Sequence, residues 1–93
     1  MKSIFTLSIV LLAANISIAQ NNVGIGTMAP DASAMLDISS DSKGVLMPRV
    51  TAVQRTAIVN PAKGLLVYQT TAPEGFYYNN GTAANPAWIL LGA

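Results

Sequence analysis

The segment Gly24-Ile25-Gly26-Thr27-Met28-Ala29 satisfies the pattern G-x-G-x-x-G/A, the spacing with which a glycine-rich turn brings a pyrophosphate to the start of a helix. That chemistry needs a helix opening at this point and an acidic residue about 20 positions further on. Pro30 follows at once instead, so the glycines read as places where one backbone passes close to another. Asp31, Asp37 and Asp41 could offer oxygen ligands to calcium, but they lack the dense alternation and closing glutamate of an EF-hand loop. Caps, turns and surface positions account for them better. With no cysteine and no histidine, the chain cannot build a Cys/His or Ser/His nucleophilic pair, and the usual zinc ligands are missing. Glu74 would have to pair with a distant aspartate to supply acid–base catalysis, and it falls in an expected turn. No catalytic residue, metal site or cofactor is assigned, and no enzyme is expected.

Aromatic residues offer a different chemistry. Phe76, Tyr77, Tyr78 and Trp88 gather near the carboxy terminus, and Tyr77, Tyr78 and Trp88 are the candidate surface for a glycan or an envelope partner. Strand alternation places Phe76 and Tyr78 on one face and Tyr77 on the other, so cross-strand packing is the competing reading. Asn80-Gly81-Thr82 fits a glycosylation sequon and otherwise makes a turn.

The elements that position these residues start after an export signal. Met1-Lys2-Ser3 gives a basic start, and an apolar run follows from Ile4 to Ala14. Small residues at Ser17 and Ala19 fit a signal peptidase, with cleavage between Ala19 and Gln20. The apolar run is shorter than the roughly 20 residues that span a bilayer. Residues 1–19 are therefore expected to be a Sec-type signal and 20–93 a small secreted or cell-surface module. Membrane contact would come through the signal alone. The alternative is an envelope peptide anchored by an uncleaved signal.

Thirteen of the first 19 residues are apolar, so the 52% hydrophobic content of the whole chain overstates that of the rest. The remaining part has four basic and four acidic residues, and no basic cluster that would suit nucleic acid or an anionic membrane. About 74 residues without disulfides or a zinc site form a marginal core. Burial against other copies is the remaining way to stabilise it.

Within this module, Val23 to Thr27 and Met35 to Ser39 read as short strands, joined by a turn in which Asp31 caps the backbone. Pro48 interrupts Val45-Leu46-Met47, which is expected at a sheet edge or strand end. Thr51-Ala52-Val53-Gln54 fits a capping box and opens one short helix near 51–59. In that helix Val53, Ala57 and Ile58 are expected to share the buried face, with Gln54 and Arg55 toward water. Leu65 to Thr70, Phe76 to Asn79 and Trp88 to Leu91 then form a three-stranded β-meander, with a five-residue turn at Thr71–Gly75. The fold class is mainly β.

The succession of these motifs resembles a known module. Asn22-Val23-Gly24-Ile25-Gly26-Thr27, Ser33-Ala34-Met35-Leu36-Asp37-Ile38 and Lys43-Gly44-Val45-Leu46-Met47-Pro48-Arg49 are followed by Thr51, Gln54-Arg55, Asn60-Pro61-Ala62 and Gly64-Leu65-Leu66-Val67-Tyr68. With Gly75-Phe76-Tyr77-Tyr78 and Trp88, they are similar to modules of tail-fibre-like and adhesin-like surface proteins of gram-negative bacteria. The resemblance implies a fibrous homotrimer in which short strands of three chains wrap together. Val23, Ile25, Leu36 and Ile38 are the candidate assembly residues. The loop Thr82–Ala87 is longer than the tight turn of many relatives and reads as a tolerated insertion. A non-enzymatic, structural or adhesion-type function is expected, with a small carbohydrate-binding module as the alternative.

Overall fold

The computed structural model describes residues 21–92; the expected signal and its cleavage site at Ala19 and Gln20 lie outside them. The chain divides between Gly44 and Val45 into two compact units. Among the described residues, short strands and one short helix make the fold mainly β, as the sequence leads one to expect. No helix of the described residues is long and apolar enough to cross a membrane.

The amino-terminal unit is a two-stranded parallel sheet of β1 (Val23–Ile25) and β2 (Leu36–Ile38). The ladder extends at both ends, with the Val23 amide donating to Met35 O and the Ser39 amide to Ile25 O, each at 2.8 Å. Gly26 explains the glycine pattern. It has φ +78°, and a Cβ there would overlap the Ser39 carbonyl. The glycines thus serve strand-to-strand approach, and no helix opens at this point.

The carboxy-terminal unit is a four-stranded sheet in the order β3-β4-β5-β6. β3 (Arg49–Val50) lies parallel to β4 (Leu66–Gln69), while β5 (Gly75–Asn79) and β6 (Trp88–Leu90) continue antiparallel. The meander is therefore present, and β3 adds a fourth, parallel edge strand to it. Parallel pairing demands a long crossover, and residues 51–65 supply it with helix α1 (Ala52–Thr56). Val45-Leu46-Met47 enters no strand and runs up to β3.

α1 begins as the capping box predicts: Thr51 Oγ1 accepts from the Gln54 amide, and Gln54 Oε1 accepts from the Thr51 amide. It is shorter than the expected span. The Thr56 hydroxyl donates back to Ala52 O and Val53 O, and the Ala57 amide is shared between Val53 O and Gln54 O. These bonds tighten and close the last turn. Its faces agree with expectation only in part: Gln54 is exposed and Ile58 half-buried, but Val53 is 78% exposed and Arg55 turns inward. Its Nε donates to Gln69 Oε1 at 2.7 Å, and its guanidinium lies 4.4 Å from the Tyr77 ring centroid and 5.5 Å from that of Trp88. A buried amide oxygen needing a donor, together with two aromatic faces, outweighs the hydrophobicity of one valine.

Candidate assembly surface

Because β1 and β2 are parallel and in register, Val23 pairs with Leu36 and Ile25 with Ile38. Side chains alternate along a strand, so these four project from one face and Gly24 and Asp37 from the other. The apolar face is open: Val23 is 56% exposed, Ile25 54%, Leu36 54% and Ile38 39%. Covering each of these would remove apolar surface worth about 2 kcal/mol. The structure thus brings together on one face all four residues proposed from the sequence as assembly candidates.

The opposite side of the unit is tied by polar bonds. Asp37 Oδ2 accepts from the Asp31 amide at 2.8 Å, and Asp31 Oδ1 accepts from the Ser33 amide and hydroxyl at 2.9 and 2.7 Å. The Ser33 bonds hold the Asp31 carboxyl below the ordinary aspartate range. Asn22 Nδ2 donates to Asp31 O, so the β1–β2 connection is cross-linked through this one residue. Among the described residues, no three acidic side chains cluster as a metal site would require. Asp31 and Asp37 are engaged in fixing the turn between β1 and β2.

The aromatic candidates do not form one surface. Tyr77 is buried on the face of the four-stranded sheet that carries α1, and its hydroxyl donates to Pro73 O at 2.6 Å. Trp88, two register positions away on β6, shares that inner face beneath Arg55. Tyr78 points to the outer face with Phe76, whose ring meets Tyr68 edge-on at 5.0 Å. No platform for a flat sugar ring is assembled from the three.

Two residues that sequence reasoning passed over organise the inner face. Gln69 and Asn79 are fully buried. Gln69 Nε2 donates to Thr71 O and Pro73 O across the β4–β5 turn. Asn79 Nδ2 donates to Pro61 O at 2.9 Å, while its Oδ1 accepts from the Gly81 and Ala87 amides, each at 2.9 Å. The loop read as a tolerated insertion is therefore wrapped around a buried amide. Their shared parity with Val67 and Tyr77 was the available signal, since residues i and i+2 of a strand face the same way.

A family model described as a phage tail-like trimerisation region matches residues 24–92. The chain belongs to this family. As such a region it is a tail-fibre-like structural module whose role is oligomerisation, which agrees with the mainly β fold and the open β1–β2 face. The match begins within β1 and runs past β6, so it takes in elements of both compact units. No curated protein and no solved structure matches the chain.

Proposed function

We propose that the chain is a non-enzymatic module of an exported bacterial surface or tail-fibre-like protein, and that it holds three copies of itself together. The observation that carries this reading is the open apolar face of Val23, Ile25, Leu36 and Ile38 on a two-stranded parallel sheet. A sheet of two three-residue strands is too small to be stable alone. Packing three such faces about one axis gives each a hydrophobic cover. The basic start, the apolar run and the Ser17/Ala19 pair support export and processing before Gln20, leaving the module outside the inner membrane.

Sedimentation velocity on the full chain, expressed in a gram-negative host, tests the assembly. A trimer is expected, and Ile25→Asp should weaken it by about 2 kcal/mol or more per copy, because a carboxylate would replace buried apolar surface. A monomer at high micromolar concentration overturns the assembly reading. Amino-terminal sequencing of the exported product tests the rest: a start at Gln20 is expected, whereas a retained Met1 sinks the processing claim.

A further inference from the structure

The four-stranded sheet carries apolar side chains on both faces. Its inner face buries Val67 and Tyr77 together with the amides of Gln69 and Asn79, and its outer face carries Leu66, Tyr68, Phe76, Tyr78, Ile89 and, just past β6, Leu91. Charge is sparse there. Arg49 stands at the β3 edge, and Glu74 accepts the Tyr68 hydroxyl proton in a 2.8 Å hydrogen bond. An apolar face of this extent marks an interaction site.

Area decides what covers it. Val23, Ile25, Leu36 and Ile38 together expose roughly 350 Å², less than half of the about 800 Å² per partner of a standard stable interface. On the outer sheet face and the segment leading into β3, Val45, Leu46, Phe76, Ile89 and Leu91 expose roughly 450 Å² more. A stable trimer therefore needs the second surface as well as the first. The family match, which spans β3 to β6, places this sheet within the trimerisation region.

The two edges of the face are also complementary. Beside β3, Val45, Leu46, Met47, Arg49, Tyr68 and Phe76 line a notch of about 150 Å³, the size of a cavity that holds one benzene. At the β6 edge, Ile89 and Leu91 stand exposed. A notch at one edge and an aliphatic pair at the other form the two halves of a heterologous contact, which closes into a ring when the rotation allows.

We propose that the outer face of the four-stranded sheet is a head-to-tail contact between copies of this chain, in which Ile89 or Leu91 of one copy fills the Val45–Phe76 notch of the next. The proposal rests on the trimeric reading above and adds a second, separate surface to it. Leu46→Asp and Leu91→Asp test it in the full chain, because both residues lie outside the strands and are well exposed. Sedimentation velocity over a concentration series should show each variant raising the trimer midpoint at least tenfold, with far-ultraviolet circular dichroism unchanged. Combining Leu46→Asp with Leu91→Lys should recover part of that loss, since the new charges would meet across the contact. An unchanged midpoint in both single variants overturns the proposal and leaves the face to a different chain. Ile25→Asp, run alongside, separates the two readings. Loss of assembly with Ile25→Asp alone overturns the sheet contact and leaves the proposed function standing. Loss with the Leu46 and Leu91 variants alone supports the sheet contact and overturns the β1–β2 reading.

Discussion

Asn79 binds one loop with each end of its amide, reaching Pro61 O through Nδ2 and the Gly81 and Ala87 amides through Oδ1. Asn79→Ala would strand these backbone groups away from water, at a cost of about 3 kcal/mol. Urea unfolding should read this as a lower midpoint with little change in slope. Tyr68 carries a subtler dependence. Its hydrogen bond to Glu74 favours the protonated phenol, and the neighbouring carboxylate charge adds to this, so its pKa stands above the ordinary tyrosine value. A folded-state value raised in this way contributes stability that is fully present below the unfolded pKa and is lost as pH rises through the folded one. Ultraviolet titration, with Tyr68→Phe as the reference, should show Tyr68 ionising late. Glu74→Gln should move that ionisation down toward the ordinary range.

At the scale of elements, register is the controlled quantity. The β1–β2 pairing puts four apolar residues on one face, and a slip of one position would turn one strand's pair to the other side. Gly26 guards the pairing, since its positive φ and the adjacent Ser39 carbonyl leave no room for a side chain. Gly26→Ala should therefore cost about 1–3 kcal/mol locally. The signature is faster hydrogen exchange at the Ser39 amide, which bonds to Ile25 O, with the sheet amides of β4 and β5 unaffected. Helix α1 teaches a different lesson. Its start was legible because a capping box is a local motif, closed within four residues. Its buried face was not, because Arg55 is drawn inward by Gln69, Tyr77 and Trp88, which lie 14 to 33 positions away.

For the whole molecule, stability and assembly are linked. Val67 and Tyr77 are the buried hydrophobic residues among those described, a sparse core for a chain of this length. A partner that binds the folded form stabilises it by mass action. The melting temperature of the full chain should consequently rise with protein concentration, and differential scanning calorimetry over a hundredfold range should resolve the trend. Ile25→Asp should flatten it. A melting temperature independent of concentration would show instead that each copy is stable without its neighbours.

The sequence by itself determined the class of object. Missing cysteine and histidine, balanced charge, short alternating segments and a local capping box pointed to a small, mainly β, assembling module, and these features depend on composition or near neighbours alone. Period-two alternation marked Val23, Ile25, Leu36 and Ile38 as strand positions, and the family resemblance marked them as assembly candidates. Tertiary structure alone decided that these four share a face, since that requires the register of two strands separated by a turn. It alone separated Tyr77 and Trp88 from Tyr78, buried Gln69 and Asn79, and left a second apolar face of the four-stranded sheet exposed. The physical reason is common to all three: which face of a strand is buried depends on what packs across it, and that partner lies elsewhere in the chain.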